Sequence, residues 1–404
     1  MNAKRMLTVM LLLVVMPGLA WAGGPNRIGG VGPRALGMGG AYTAIADDVS
    51  AFYYNVAGIS QVDNNLIELG SDFNFPKLSF KLPSDWGGYS EESANKVFAM
   101  PLTAGMFRLT DKLVLGGGVY TPYGLGVEYP KNQHHGMLYR KSLLSLTNAT
   151  LALSYEVSDT LSIGGGLDFG WSQFAYSAPF HQLGQLVIDP LFLKNAGDGF
   201  GVGWRIGALW QPSDRFACGV SYSAPMKVTL KGETDLSLFG LGLGRDNFKT
   251  HFTFPGRLGA GIAYKPSQRL LLAFDIGYFD YSGADKMVFD FGKLPTIPNN
   301  LGWRSFVSLN LGAEYQLNEN WFARGGVCWQ GAPFPDSTTN PAMPDAKGFA
   351  WTTGLGYKKG DWSVDVALVL AQAKREIEQK PGHLAPGEYG ATIPGISFAT
   401  SYRF

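Results

Sequence analysis

Between residues 160 and 172, Leu161, Ile163, Leu167, Phe169 and Trp171 occupy odd positions, while Ser162, Gly164, Gly166, Asp168 and Ser172 occupy even ones. A period of two belongs to an extended strand with one apolar face and one small or polar face. The pattern returns in Val307, Leu309, Leu311, Ala313 and Tyr315, in Trp362, Val364, Val366, Leu368 and Leu370, and at the end of the chain in Ile396, Phe398, Tyr402 and Phe404. Alternation alone also fits a soluble sandwich. Its length separates the two: the runs cover roughly 11 to 17 residues, against ~5–6 for soluble strands and ~9–11 for a strand that crosses a bilayer.

Short polar turns recur at 109–112, 157–160, 212–215, 265–268, 317–320 and 358–361, with one long irregular segment between successive turns. Short turns on one side and long loops on the other are the layout of an outer-membrane barrel. Six turns join twelve strands; one further strand near 65–75 precedes them and one at 393–404 follows. The expected fold is therefore all-β and transmembrane, a 14-stranded antiparallel outer-membrane β-barrel over residues 65–404, with an even strand number as single-chain bacterial barrels require. Its outer loops are expected near 76–96, 122–141, 177–198, 233–248, 282–302, 331–347 and 375–392.

Composition sharpens this picture. Of 404 residues 54 are Gly, roughly double the ~7% average, and 16% are charged, well below the ~25% of soluble domains. With 33 Lys and Arg against 32 Asp and Glu there is no basic field to hold a nucleic acid. Lys4 and Arg5, the apolar residues 6–16 and Ala20-Trp21-Ala22 form the three parts of a secretory signal, so residues 1–22 are expected to be removed. Beyond residue 22 no run of 18 apolar residues occurs, which excludes helical spans there.

A fourteen-strand lumen is open unless something fills it, since 16 to 18 strands already enclose a channel. Residues 23–64 precede the first strand and can supply a plug, or hatch, rich in small residues. Within it Asp47 and Asp48 read as the cap of a helical turn, and Asn55 opens a second one. In the third strand Gly116, Gly117 and Gly118, followed by Pro122 and Gly124, mark a weak ladder, because Gly packs no side chain and Pro cannot donate. The same residues also fit a strand end running into a loop. In the third outer loop Leu183, Leu186, Val187 and Phe192 are candidate ligand contacts, or else pack against neighbouring loops.

The run from Ala35 to Asp48, through Gly37, Gly39, Gly40, Tyr42 and Asp47, followed by Tyr54-Asn55-Val56-Ala57-Gly58, resembles the hatch of the FadL/TodX (OmpP1) family, outer-membrane transporters of long-chain fatty acids and aromatic hydrocarbons. Further likeness lies in Gly199-Phe200-Gly201-Val202-Gly203-Trp204, in Ser223-Ala224-Pro225-Met226-Lys227, in Phe254-Pro255 and in the terminal Phe404. The resemblance implies passive, gated uptake of a hydrophobic small molecule, with capture by outer loops, a pocket above the hatch and lateral exit at a kink in the third strand. Tyr42, Asp47, Asp48, Asn55, Val56 and Ala57 would then be hatch residues. Gly116, Gly117, Gly118, Tyr120, Pro122, Tyr123 and Gly124 would form the opening. Two departures stand out. Basic residues that the fatty-acid branch offers to a carboxylate fall on Ala178 and about Asn299, with Lys293 and Arg304 as the nearest substitutes, which tilts the expected cargo toward uncharged hydrocarbons. Val56 replaces the usual Pro of the hatch motif, so that turn loses a fixed φ.

Catalytic and cofactor motifs are weak. Gly30-Val31-Gly32-Pro33-Arg34-Ala35 fits a dinucleotide fingerprint only formally, with no strand before it, and His134-His135 lack further ligands at metal spacing. Asp168 and Arg324 read as lumen charges that the hatch satisfies, and Cys218 and Cys328 fall on opposite faces. The expectation is a monomeric channel surrounded by outer-membrane lipid and lipopolysaccharide in a Gram-negative bacterium, with no cofactor, metal or nucleic acid. A porin for small hydrophilic solutes is the alternative, and a lipid-modifying enzyme a more distant one.

Overall fold

The computed structural model describes residues 29–130, 141–179, 191–238, 241–293 and 296–404. The expected signal peptide at 1–22, His134, His135, Leu183, Leu186 and Val187 lie outside the described residues.

Fourteen antiparallel strands form the wall. In chain order they are β1 (Leu66–Asn74, resumed at Lys77–Lys81), β2 (Phe98–Arg108), β3 (Leu113–Glu128), β4 (Lys141–Ser158), β5 (Leu161–Pro179), β6 (Leu191–Ser213), β7 (Phe216–Ser223, resumed at Met226–Leu238) and β8 (Leu241–Phe254, resumed at Gly256–Ser267). There follow β9 (Leu270–Asp280), β10 (Phe306–Gln316), β11 (Trp321–Gln330), β12 (Gly348–Lys359), β13 (Trp362–Ile377) and β14 (Gly387–Arg403). Each pairs with the next, and β1 pairs with β14 from Leu66↔Arg403 to Asn74↔Gly395, so the sheet closes on itself. The six polar turns of the sequence all join neighbouring strands. The odd-numbered apolar residues of β5 and the even-numbered ones of β13 face outward, with Leu167 50% and Trp362 57% exposed. An exposed apolar belt of this extent belongs in lipid, not water.

Five of the expected loops are shorter than the sequence suggests, the one at 76–96 because β1 resumes over Lys77–Lys81. Residues 191–198 and 233–248 are largely strand: β5 and β6 pair as far as Pro179↔Phe192, and β7 and β8 as far as Leu238↔Leu241. Charges such as Asp235 and Arg245, ion-paired at 3.0 Å, read as loop composition, yet beyond the lipid both faces of a strand are wet and tolerate them. β3 likewise continues to Glu128, and β13 and β14 leave only 378–386 as loop. Between β9 and β10 the chain folds back as a hairpin of Lys286–Phe291 with Ile297–Asn300.

Residues from Gly29 onward cross the lumen as α1 (Pro33–Gly37), α2 (Ala51–Tyr54) and a 3-10 helix, Val56–Gln61. The Asp48 carboxylate accepts the Ser50 amide at 2.8 Å ahead of α2, and Asn55 accepts the Ala57 amide at 3.1 Å at the start of the 3-10 helix. Both satisfy donors that a helix start leaves open. Hatch residues Val31, Met38, Tyr42, Phe52, Tyr54 and Ile59 form one buried cluster with wall residues such as Leu102, Met106 and Val114.

Wall glycines set how closely the hatch seats. A Cβ on Gly326 would lie 2.3 Å from the Gly39 amide nitrogen and 2.4 Å from the Met38 carbonyl carbon, and one on Gly164 would lie 2.7 Å from the Ala57 nitrogen. Backbone cannot yield by that much, so Gly326→Val is expected to leave the wall paired while displacing the hatch. Single-channel recording in planar bilayers should show a large conductance in a variant that still migrates as a folded barrel. Conductance equal to wild type in such a variant would count against a hatch-filled lumen.

Candidate functional site

The lumen divides into a polar clamp below and an aromatic cluster above. In the clamp, the Asp275 carboxylate accepts the amides of Tyr42 at 2.9 Å and Thr43 at 2.7 Å. Asn310 donates to the Gly39 carbonyl at 2.6 Å, and Thr352 accepts the Gly39 amide at 3.0 Å while donating to the Gly37 carbonyl. Asn55 donates to the carbonyls of Thr43 and Ala208, and Ser154 donates to that of Ala57. The hatch thus has its backbone groups met by inward side chains of β4, β9, β10 and β12, which is what a buried irregular segment requires.

Charges follow the same logic. Arg34 of α1 lies 2.6 Å from Asp47 and 2.9 Å from Glu314, and Arg324 lies 2.6 Å from Glu314 and 2.5 Å from Asp365. Arg205 pairs with Asp168 at 2.6 Å and also donates to the Phe52 carbonyl. Asp168 and Arg324 therefore sit in networks that hold the hatch. Burial pushes up the carboxyls of Asp47 and Asp48; at Asp47 the Arg34 guanidinium overcomes it and the net shift is downward, whereas Asp48, beside the Asp47 charge, stays raised. The Tyr42 hydroxyl bridges the two at 2.9 and 2.8 Å.

Above the hatch, Tyr123, Phe174, Met226, Phe248, Phe252, Phe254, Tyr281, Phe289, Trp303 and Phe334 pack as a second buried cluster. Ring contacts run through it: Trp303 stacks on Phe334 at 4.1 Å and meets Phe252 at 5.4 Å, and Phe252 meets Phe254 at 4.9 Å. Sequence reasoning missed this cluster. Its trace was Phe248, Phe252 and Phe254, bulky rings on the parity of β8 that the alternation otherwise gives to small or polar lumen residues. Phe334 closes the cluster from the loop between β11 and β12. Arg375 of β13 holds that loop by donating to the Phe334 carbonyl at 2.9 Å and the Asp345 carbonyl at 3.1 Å while pairing with Asp336 at 2.6 Å.

At β3 the residues proposed for an opening separate into two groups. Gly116, Gly117 and Gly118 are paired on both sides, with Met106, Gly105 and Ala104 of β2 and with Ala152, Leu151 and Thr150 of β4. The ladder does not lapse at the glycine triplet. Two of its members instead clear space for the hatch, since a Cβ on Gly116 would lie 2.7 Å from the Phe52 ring. Pairing with β2 ends at Leu102↔Tyr120, although β3 continues to Glu128. Beside that end, Thr121 and Pro122 together oppose Thr147, because the register with β4 shifts between Tyr120↔Asn148 and Tyr123↔Leu146. Tyr123, in the aromatic cluster, donates its hydroxyl to the Pro255 carbonyl at 3.0 Å, and Gly124 pairs with Ser145.

The loop candidates Leu183, Leu186 and Val187 are outside the described residues, and so is the side chain of Phe192, whose backbone is the second residue of β6, opposite Pro179. Arg304 borders a cavity of about 600 Å³ at the outer mouth, together with Phe334, Lys347 and Arg375. Lys293 is exposed, its amide donating to Asp246 at 2.8 Å. Among the described residues no group of His, Cys, Asp and Glu is arranged to hold a metal ion.

A closed fourteen-strand wall with an outward apolar belt, a hatch clamped across its lumen and a ring-lined cluster above it define a plugged outer-membrane channel. The chain belongs to the family of outer membrane protein transport proteins (OMPP1/FadL/TodX), whose model matches residues 24–403. It is a protein of the Gram-negative outer membrane. The long-chain fatty acid transport protein of Escherichia coli O6:H1 is 22% identical over 370 residues, covering 82% of this chain and 83% of that protein. The crystal structure of a Pseudomonas aeruginosa FadL homologue matches with a TM-score of 0.80 at 17% identity, covering 95% of this chain and 100% of that one. That of the Pseudomonas putida toluene transporter TodX also matches with a TM-score of 0.80, at 19% identity, covering 94% and 99%.

The loop that carries Phe334 has a titratable latch. Burial pushes the Asp345 carboxyl up to about 7, against the Phe334 amide and the Arg375 guanidinium, which favour its charge. With its pKa raised above the unfolded value, the packed loop holds more protons than the released one, so its stability falls as pH rises from about 4 to about 7 and is level beyond. Protection of the Phe334 amide against hydrogen exchange, corrected for intrinsic rate, should decline from pH 5 to pH 8, and Asp345→Asn should flatten the profile. Equal slopes in the two proteins would rule the latch out.

Proposed function

We propose that this chain is a passive, gated channel for hydrophobic small molecules, long-chain fatty acids or aromatic and aliphatic hydrocarbons, which leave the lumen sideways through the wall. Among its relatives are a long-chain fatty acid transport protein and a toluene transporter. The observation that carries the reading is the coincidence of two features at β3. The β2 to β3 ladder stops at Tyr120, and the next inward aromatic, Tyr123, belongs to the ring cluster above the hatch. An apolar molecule held among those rings therefore lies beside the one stretch of β3 that β2 does not pair, bounded above by the Ala94 amide donating to Glu128 at 2.7 Å. Tyr120, Thr121, Pro122, Tyr123 and Gly124 are the residues assigned to the exit, and Gly116, Gly117 and Gly118 to hatch clearance below it.

Ring-lined walls suit uncharged and weakly polar cargo, because a buried carboxylate needs a cation or donor beside it. No catalytic role is assigned to the lumen charges: Arg34, Arg205 and Arg324 with their carboxylates hold the hatch. The protein acts as a monomer surrounded by lipid and lipopolysaccharide, needs no cofactor and couples uptake to no energy source.

Deleting Pro122 removes the extra residue of the bulge and lets Thr121 oppose Thr147 one to one. The shortened β3 can then pair onward with β2. Uptake of labelled toluene or oleate by cells carrying the deletion is expected to fall about tenfold or more while the barrel still folds. Undiminished uptake of both would refute lateral exit. Large ion conductance by the intact wild-type protein would instead favour a hydrophilic porin.

A further inference from the structure

Along the inner face of β4 and β5 the ring cluster gives way to the polar clamp at two residues. Leu146 of β4 and Phe174 of β5 belong to the cluster. Thr150 and Asp168 belong to the clamp, where Thr150 donates to Asp168 at 2.5 Å and Arg205 pairs with it at 2.6 Å. Between the two levels, on the same inward parity, lie Asn148 and Ser172. The register sets Asn148 opposite Gly170 and Ser172 opposite Leu146, so the two are diagonal neighbours across one strand pair. Both are buried, Asn148 at 4% and Ser172 at 0% exposure. Among the described residues Asn148 Oδ1 and Ser172 Oγ have no hydrogen-bond partner. The Tyr120 hydroxyl, whose proton goes to the Phe52 carbonyl at 3.1 Å, takes up the donor side of the Asn148 amide and leaves its oxygen unmet. A buried polar atom without a partner is costly, and here two stand side by side.

The atoms around the pair connect it to the cluster. A Cβ added to Gly170 would lie 3.1 Å from Asn148 Oδ1, 2.8 Å from Leu146 Cδ1 and 2.3 Å from Met226 Sδ. The amide oxygen, the leucine methyl and the thioether therefore converge over the bare α-carbon of Gly170. Met226 is itself a member of the ring cluster, and its Cε rests against Gly203, where a Cβ would lie 3.0 Å away. An unbranched thioether above two glycines can turn without moving backbone, and turning joins the polar pair to the space among the rings.

The chemistry of the pair selects its ligand. Asn148 Oδ1 can only accept, whereas Ser172 Oγ can donate. One hydroxyl answers both, and with partners at ~2.8 Å on either side it bridges diagonal side chains of a sheet. A carboxylate cannot donate to Asn148, and Arg205 is already taken up by both Asp168 oxygens and the Phe52 carbonyl. A plain hydrocarbon meets neither atom.

We propose that Asn148 and Ser172 form a subsite for the hydroxyl of an uncharged hydroxylated monoaromatic molecule, of the phenol or cresol class, with its ring among the aromatic side chains above. The hydroxyl donates to Asn148 Oδ1 and accepts from Ser172 Oγ, and Met226 turns aside to admit the ring. This inference rests on the reading of the ring cluster as the place where cargo is held.

Fluorine NMR titrations of the full chain in detergent, corrected for partition into protein-free micelles, compare three probes: para-fluorophenol, para-fluoroanisole, whose ether oxygen cannot donate, and fluorobenzene. The wild type should bind the phenol about tenfold more tightly than the anisole, as expected when a buried acceptor is otherwise left unpaired. Asn148→Leu combined with Ser172→Ala should abolish that preference and leave fluorobenzene binding intact. An unchanged preference in the double variant, or none in a wild type that binds fluorobenzene, overturns the proposal and assigns the pair to an ordered water. Failure of all three probes to bind the wild type would instead remove the ring cluster as the cargo site, and this subsite with it. Should the double variant fail to fold, the wild-type comparison of phenol with anisole decides alone.

Discussion

The hydrocarbon core of a membrane offers no partner to a backbone amide or carbonyl, so a chain that crosses it as strands must pair every edge with another. Here that demand is met by the Leu66↔Arg403 to Asn74↔Gly395 seam, which joins the first strand to the last. Closure fixes the strand number, and the strand number fixes the lumen, too wide to be filled by wall side chains alone. The hatch follows from that width. An irregular segment inside the lumen carries the same backbone groups that the wall had to satisfy, and it finds partners in Asp275, Asn310, Thr352 and Ser154. The glycines that admit it follow in turn, because Gly326 and Gly164 face hatch backbone at distances no side chain allows.

The two halves of the lumen differ along the barrel axis in how they are held: the hatch adds polar bonds to its own buried cluster, while the rings above it rely on packing. Below, charges occur as networks in which Glu314 serves both Arg34 and Arg324, so a hatch residue and a wall residue share one carboxylate. Removing one member of such a set strands a buried charge, typically at a cost of about 3–5 kcal/mol. That makes the clamp stiff. Above, the cluster around Phe252, Trp303 and Phe334 is held by ring packing and dispersion, which is non-directional and tolerates rearrangement. The lumen thus combines directional bonds at the plug with adaptable apolar surfaces above it.

Much of this was legible in the sequence because the wall obeys a single rule over its whole length. Alternation in β5, β10, β13 and β14, with six short turns, was enough for fourteen strands, and the width of that lumen with residues 23–64 ahead of the first strand pointed to a hatch. The rule also explains what was lost. Beyond the lipid it no longer applies, so residues 191–198 and 233–248 looked like loops although their ladders continue. Inside the lumen, Phe248, Phe252 and Phe254 break the rule, and an exception reads as noise until the strands bring it beside Phe174 and Trp303. The glycine triplet of β3 was ambiguous for another reason: a missing side chain can weaken a ladder or make room for a neighbour, and sequence does not say which. Phe52 shows that here it makes room.

A wall that must satisfy every backbone group tolerates a break in one ladder only where few such groups are left, and the composition of the β3 bulge fits that limit. Pro122 has no amide proton, so the residue added to the strand adds no orphan donor. Thr121 and Thr147 share a hydrogen bond at 3.1 Å across the bulge, and the Tyr123 hydroxyl is taken up by the Pro255 carbonyl. The Ala94 amide and Glu128 carbonyl close the upper margin, with Lys96 3.3 Å from the Glu128 carboxylate. Bulky aliphatic residues in place of Thr121 and Pro122 would leave the same gap with an added amide and no lateral bond, in a setting where each unmet group costs free energy. The lapse in the ladder is thus stable because its chemistry is unlike that of the paired strand around it, including the three paired glycines a few residues earlier.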